Sequence, residues 1–173
     1  MKIFNLIITI CFLISCSQKV KQKKEIYTNL SFLDTNDTLV LSFNNDKCGE
    51  WGGDNQNIIV YKEFYKGKNI ILLDINEYNM DCDSIENYIN KPIKKSFEKK
   101  RIKIDTQKLN LISEAIEELI KLQMNFDAEK AISNSGRLSG IGTSNKKLHL
   151  QIYPSPKWLT FEKLFKFIKN EKQ

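Results

Sequence analysis

The sequence of 173 residues is short of several residue types, and each shortage excludes a class of protein. Gly occurs 7 times and Pro 3 times, which excludes collagen-like and low-complexity chains. Arg occurs 2 times against 25 Lys, too few to supply the bidentate contacts that nucleic-acid-binding proteins take from Arg. His149 is the single His, and no Gly-x-Ser-x-Gly motif occurs, so the usual signals of a hydrolase are missing.

What remains is the composition of one folded domain. Hydrophobic residues make up 41% of the chain and charged residues 28%, and Ile alone occurs 23 times, which excludes a disordered chain. The formal net charge is +6, carried almost wholly by Lys. No internal repeat is present, which excludes solenoids and propellers.

The first 16 residues read as an export signal. Lys2 precedes an apolar run, residues 3–14, that is shorter than the roughly 20 residues needed to span a bilayer. It ends in Leu13-Ile14-Ser15-Cys16, which resembles the lipobox of bacterial prolipoproteins. The resemblance implies cleavage before Cys16 and attachment of diacylglycerol and palmitate-type chains to that residue. An ordinary secretory signal or an uncleaved anchor is the alternative.

The same resemblance implies an address. Ser17 stands where the family's inner-membrane retention rule requires Asp, so we expect a lipoprotein of the outer membrane that faces the periplasm. The expected organisation is a signal peptide over 1–15, a lipidated tether over 16–30 and one domain over 31–173. The mature domain also resembles small uncharacterised lipoproteins of Bacteroidota type, a resemblance that implies no function.

Hydrophobic periodicity predicts an α+β domain with a mainly antiparallel sheet of about six strands and helices packed on one face. The element order is βββ-α-β-α-ββ-α. Strands are expected over 38–43, 58–64, 70–75, 97–105, 131–141 and 147–153, and helices over 83–90, 106–124 and 160–170.

Two cysteines remain in the mature domain, Cys48 and Cys82. An exported protein meets an oxidising compartment, and the first and third strands of an up-down-up meander end at the same edge of the sheet. We therefore predict a disulfide between them. In the chain-entropy model, closing a loop of this size stabilises the folded protein by about 4 kcal/mol. Zinc is the alternative, but two Cys and one His do not complete a four-ligand site.

The most unusual stretch is the Gly-rich loop that contains Glu50, Trp51 and Asp54. An indole and two carboxylates are suited to stacking on a sugar ring and hydrogen-bonding its hydroxyls, and glycosidases also use carboxylate pairs. The structural alternative is a tight turn in which Trp51 covers the disulfide while Glu50 and Asp54 point to solvent. Both interpretations stay open.

Two charged segments each have a structural and a functional interpretation. Five carboxylates lie in residues 74–86, a solvated loop or a calcium site that lacks the EF-hand spacing. Residues 91–103 have a net charge of +6, a solvated strand face or a contact for an acidic partner or for lipid phosphates. We predict no metal and no cofactor.

The expectation for function is a non-enzymatic binding module, held to the membrane by its lipid and contacting an envelope protein. An immunity or inhibitor lipoprotein against a periplasmic toxin or hydrolase is the alternative of the same class. A carbohydrate-binding or carbohydrate-processing protein that uses Glu50, Trp51 and Asp54 is the alternative of another class. Nucleic acid is not expected as a partner.

Overall fold

The computed structural model describes Leu30 and residues 32–49, 52–84, 93–126 and 136–171. The chain divides into two compact units, residues 1–32 and 33–173. The second unit contains the elements of the fold. These are the strands β1 (Thr38–Asn44), β2 (Asn55–Tyr65), β3 (Lys68–Met80), β4 (Ile93–Lys103), β5 (Leu138–Thr143) and β6 (His149–Ile152), and the helices α1 (Thr106–Met124) and α2 (Leu159–Asn170).

The predicted α+β class is confirmed. The strands form a six-stranded antiparallel sheet in the order β4-β3-β2-β1-β5-β6, so β4 and β6 are its edges. The first three strands are consecutive neighbours, and β5 pairs with the free side of β1. Both helices pack on one face, where strand alternation places the sheet's share of the core: Leu39, Leu41, Phe43, Ile58, Val60, Leu73, Ile75, Ile141 and Ile152.

Helix α1 begins where the sequence predicts. Asp105 is its N-cap and accepts a hydrogen bond from the Lys108 backbone N–H at 2.8 Å. The stripe that faces the sheet contains Ile112, Ile116 and Leu119, all fully buried. Because the cap and the stripe are local sequence features, both bounds of this helix are readable without the tertiary structure.

Helix α2 is fixed at both ends by residues from other elements. The carboxylate of Glu118 accepts hydrogen bonds from the backbone N–H groups of Leu159 and Thr160, so it serves the donors that a helix start leaves unpaired. At the other end, the ammonium of Lys99 on β4 donates to the carbonyls of Lys169 and Glu171 at 3.0 and 2.5 Å. This places a cation at the negative end of the helix dipole.

Aromatic stacking joins α2 to α1 and the sheet. The ring centroids of Trp158 and Phe161 are 4.8 Å apart, and those of Phe43 and Phe161 are 5.8 Å apart. Trp158 is fully buried, and its indole N–H donates to the carbonyl of Ala115 at 2.9 Å. A buried indole with a satisfied donor makes a large contribution to a core of this size.

Several element bounds differ from the prediction. Strands β2 and β3 are longer than expected, at 11 and 13 residues, because their polar ends continue to pair beyond the apolar stretch. Strand β5 is Leu138–Thr143, and residues 131–135 of the strand predicted over 131–141 lie outside the described residues. A short 3₁₀ turn, Cys82–Ser84, stands at the start of the helix predicted over 83–90, and the rest of that helix lies outside the described residues.

The predicted signal peptide and tether, residues 1–15 and 16–30, lie outside the described residues except for Leu30. Within the described part of the chain, no helix combines the length and the hydropathy needed to cross a membrane.

Candidate binding surface

The predicted disulfide is confirmed, and it links the segment that follows β1 to the segment that follows β3. Cys48 follows β1 and Cys82 follows β3, with their Cα atoms 5.3 Å apart and a sequence separation of 34. Because β1 and β3 run in the same direction on either side of β2, their carboxyl ends lie at the same end of the sheet's strands. The bridge therefore closes the corner where the Gly-rich loop begins.

Glycines in this corner are required by close backbone contacts. A Cβ on Gly136 would lie 2.2 Å from the Gly52 nitrogen and 2.6 Å from the Gly49 oxygen. A Cβ on Gly53 would lie 2.7 Å from the Lys47 nitrogen. The Gly136 N–H also donates to the Gly49 carbonyl at 2.9 Å. Close packing therefore accounts for Gly53 and Gly136, whereas Gly49 and Gly52 have φ 65° and 84°, in the left-handed region that favours glycine.

Asp54 has a structural role, and the prediction that its carboxylate points to solvent is wrong. One carboxylate oxygen accepts the Met80 backbone N–H at 2.8 Å and lies 3.4 Å from the Lys47 ammonium. Its side chain is 20% exposed. The carboxylate thus joins the start of β2 to the end of β3, two residues before Cys82, and its hydrogen-bonding capacity is largely used within the corner.

The other candidates of this loop, Glu50 and Trp51, lie outside the described residues, as does the predicted lipidation site Cys16. The prediction that Trp51 packs against the disulfide therefore stays a prediction.

The acidic segment 74–86 is divided by the sheet. Asp74 and Glu77 are three residues apart on β3, so their side chains point to opposite faces of the sheet. Asp74 pairs with Ile59 on β2, and Glu77 pairs with Gln56. On the helix side, Glu77 accepts hydrogen bonds from Gln56 and from the Lys169 ammonium, each at 2.6 Å. Glu86 lies outside the described residues, and among those described no group of three potential metal ligands is present.

The sheet face opposite the helices carries mostly polar side chains, and we call it the polar face. Strand alternation and register place its polar members on the three adjacent strands β1, β2 and β3 and on edge strand β6. Its polar members are Ser42, Asn44, Asn55, Asn57, Tyr61, Asp74, Asn76, Tyr78, His149 and Gln151. His149 and Gln151 are exposed, and the others are half-buried.

Four asparagines form a hydrogen-bonded row across the polar face. Asn44 pairs with Asn55, and Asn57 pairs with Asn76, in the register of the sheet. The Asn57 amide donates to Asn76 at 2.9 Å and to the side-chain carbonyl of Asn55, whose own amide donates to Asn44. Because each amide is oriented by its neighbour, the row presents a fixed set of donors and acceptors.

A second network holds a basic side chain at the margin of the polar face. Asp74 accepts hydrogen bonds from the Tyr61 hydroxyl at 3.0 Å and from the Arg101 backbone N–H at 2.8 Å. Burial and the hydrogen bond to Asp74 raise the pKa of Tyr61 to about 12, so Tyr61 remains a donor. Arg101 has φ 57° and sits at an irregularity in the β3–β4 pairing.

A φ of this sign is uncommon for a residue with a side chain. The contact with Asp74 stabilises it, and a bulge of this kind redirects a side chain at a sheet edge. The Arg101 guanidinium accordingly reaches Glu63, with nitrogen and oxygen 2.9 Å apart.

The basic segment 91–103 divides into structural and exposed lysines. Lys99 faces the helix side and binds the carboxyl end of α2. Lys95, Lys100 and Lys103 are exposed, with Lys95 next to Tyr78 at 5.8 Å from its ring centroid. Lysines on an edge strand discourage pairing with another sheet, and they also give this margin of the polar face a positive charge.

Lys108 on α1 shows a similar structural use of charge. Its side chain is 3% exposed, and its ammonium lies 2.7 Å from Asp105 and 2.8 Å from Glu171. Burial alone would lower the pKa of Lys108, but the hydrogen bonds to Asp105 and Glu171 raise it above its ordinary value. This lysine is therefore charged, and its ion pairs hold α1 against the end of α2.

Comparisons with protein-family models, with curated proteins and with solved structures find no match to this chain. The polar face is the surface that sequence reasoning missed. Its asparagines are scattered over residues 44–76, and only the strand register brings them together.

Proposed function

We propose that this protein is a non-enzymatic, lipid-anchored binding module that engages an envelope protein through its polar face. The observation that carries the proposal is the asparagine row, in which hydrogen bonds fix the amides of Asn44, Asn55, Asn57 and Asn76 before any partner arrives. Oriented polar groups on a rigid sheet bind a partner without the entropy cost of ordering loops.

Charge indicates the kind of partner. The β4 margin of the polar face presents Lys95, Lys100, Lys103 and Arg101. Glu98, which pairs with Lys95 and Lys100, and Glu63, which pairs with Arg101, balance only part of this charge. An acidic protein surface is complementary to it, and electrostatic attraction of this type increases the rate of association. The lipid at Cys16 would keep the module at the outer membrane, facing the periplasm, where such a partner is met by diffusion in two dimensions.

The carbohydrate alternative has less support. It needs the carboxylate of Asp54 for a ligand, whereas Asp54 is bound to Met80 and Lys47 in the disulfide corner. An immunity or inhibitor lipoprotein is a narrower form of our proposal, since it would use the same face with a toxin or hydrolase as the acidic partner.

Photo-cross-linking in growing cells tests the proposal. Tyr78 lies on the polar face and Phe167 lies on α2, and both are half-buried aromatic residues. Benzoylphenylalanine is placed at either position in the full-length chain, and adducts are identified by mass spectrometry. We expect one discrete protein adduct from position 78 and none from position 167.

Equal adduct patterns from the two positions, or no adduct from position 78, would contradict the proposal. The identity of the adduct separates its two forms: a toxin or hydrolase indicates an inhibitor, and any other envelope protein indicates a general binding module.

A further inference from the structure

The hairpin that joins β2 to β3 projects from the sheet. Strand β1 begins at Thr38 opposite Tyr61, so the four residues that follow on β2 have no partner on that side. At about 3.3 Å per residue the hairpin extends about 13 Å beyond β1. Lys66 and Gly67 at the turn have φ 49° and 79°, the signs that a tight two-residue hairpin turn requires.

The tip of this hairpin is aromatic on both sides. Phe64 is 66% exposed and Tyr65 is 50% exposed. Successive residues of a strand point to opposite faces, so the two rings flank the hairpin. Two large exposed rings at one projecting tip are costly in water, whereas aromatic rings are enriched at the level of lipid headgroups.

Lysines lie at the tip and at the same end of the sheet. Lys66 and Lys68 belong to the tip, and the register brings Lys103 and the turn containing Lys146 to the same end of the sheet. These four lysines form no ion pair with any residue of the part of the chain that the structure describes. Lysines close to an anionic lipid surface are attracted to it, and Lys side chains reach the headgroups readily.

The chain enters the second unit at this same end. Leu33 is its first residue, and the Leu33 carbonyl accepts a hydrogen bond from the ammonium of Lys62, which precedes the tip by two residues. Asp34 is paired with Lys147 in the neighbouring turn, at 2.8 Å. The polypeptide that leads back to Cys16 therefore leaves this unit beside the aromatic tip, whereas the disulfide corner lies at the opposite end of the strands.

We propose that the hairpin tip, residues 64–68, is a membrane contact: Phe64 and Tyr65 lie in the headgroup region of an anionic bilayer while Lys66 and Lys68 bind lipid phosphates. The inference rests on the proposed lipid anchor for bringing this end of the protein to a membrane. The anchor would hold the chain, and the tip would set the orientation of the domain, leaving the disulfide corner directed away from the bilayer.

Spin-label accessibility on the full-length protein tests this contact. Tyr65 at the tip and Tyr153 at the disulfide end are equally suitable positions, since they are 50% and 54% exposed. A ketone-bearing phenylalanine analogue, coupled to a nitroxide, replaces one or the other and leaves the cysteines untouched. The protein is mixed with vesicles of phosphatidylethanolamine and phosphatidylglycerol, and collision with a water-soluble nickel chelate is measured.

We expect the label at position 65 to become about fivefold less accessible on adding these vesicles, since interfacial residues lie several Å below the headgroup surface. The label at position 153 should not change, and vesicles of phosphatidylcholine alone should give a smaller effect at position 65. A label at position 65 that stays as accessible as the one at position 153 overturns the proposal. Shielding at position 65 without vesicles, which would indicate a second copy or a protein partner, overturns it as well.

Palmitate labelling of cells that express the wild-type chain or Cys16→Ala distinguishes this failure from failure of the anchor. Label that depends on Cys16 together with an unshielded tip rejects the membrane contact alone. A shielded tip on a chain without palmitate rejects the anchor alone.

Discussion

The two faces of the sheet use polar and charged residues in opposite ways. On the helix side, Lys99, Lys108 and Lys169 are bound to helix carbonyls or carboxylates of the protein itself. On the polar face, the asparagine amides are fixed by one another and Lys95 and Lys103 remain exposed at the margin. The difference shows that the lysines are used in two ways: some are bound within the packing of the helices, and others are exposed at a margin of the sheet, where we propose that they meet a partner.

The largest expected effect on stability comes from a substitution on the helix side of the sheet. Phe161 is fully buried between Trp158 and Phe43, so Phe161→Ala removes a ring from the centre of the core. We expect a loss of about 3–5 kcal/mol in the free energy of unfolding, measured by chemical denaturation. Tyr78→Ala on the polar face should cost about 1 kcal/mol or less. Equal losses would mean that the polar face is as structural as the helix side.

The next effect concerns the disulfide corner. Replacing Cys48 and Cys82 together by Ser should lower the free energy of unfolding by about 2–5 kcal/mol, because the unfolded chain regains the freedom of the closed loop. Reductant should destabilise the wild type by a similar amount and leave the double variant unchanged. A wild-type transition that reductant does not move would argue against a stabilising role for this bridge.

A glycine pair sharpens the distinction between the corner and the polar face. A Cβ on Gly136 meets backbone at 2.2 Å, whereas a Cβ on Gly142 has its nearest neighbour, the His149 ring, at 3.7 Å. Gly136→Ala should therefore cost about 1–3 kcal/mol, and Gly142→Ala should be nearly neutral. Thermal unfolding of the two variants measures the difference. The reverse order would show that the close contacts of the corner are not needed for its fold.

The smallest effect lies within the polar face and depends on pH. Because the pKa of Tyr61 is raised to about 12 in the folded protein, its contribution to stability is complete below the unfolded pKa near 10. It is lost as pH rises through the folded value. Tyr61→Phe should cost about 1 kcal/mol at neutral pH and less near pH 12.

Absorbance titration of the phenolates checks this assignment, since the variant should lose the ionisation near pH 12 that belongs to Tyr61. A wild type and a Tyr61→Phe variant with the same titration curve at high pH would contradict it.

Sequence patterns predicted the features that depend on neighbouring residues or on strand direction. The helix predicted over 106–124 matches α1, Thr106–Met124, and the helix predicted over 160–170 differs from α2, Leu159–Asn170, by one residue. The disulfide followed from the expected oxidising compartment together with strand direction, because alternate strands of a meander end on the same side.

The features that sequence reasoning missed depend on contacts between distant segments. Asp54 looks like a free loop carboxylate until Met80 is placed beside it, and Lys99 looks like a solvated strand residue until α2 ends on it. The asparagine row needs the register of three strands, and a shift of one residue would send each asparagine to the other face. The site was therefore less predictable than the fold.

One measurement tests most directly whether the polar face, and not the helix side, binds the partner. The yield of the adduct at position 78 is compared in two charge-reversed chains, Lys95→Glu with Lys103→Glu at the margin of the polar face, and Lys163→Glu with Lys166→Glu on the exposed side of α2. Both pairs change the net charge equally. We predict that the first pair lowers the yield about tenfold while the second leaves it unchanged. Equal yields in the two chains would contradict recognition through the polar face.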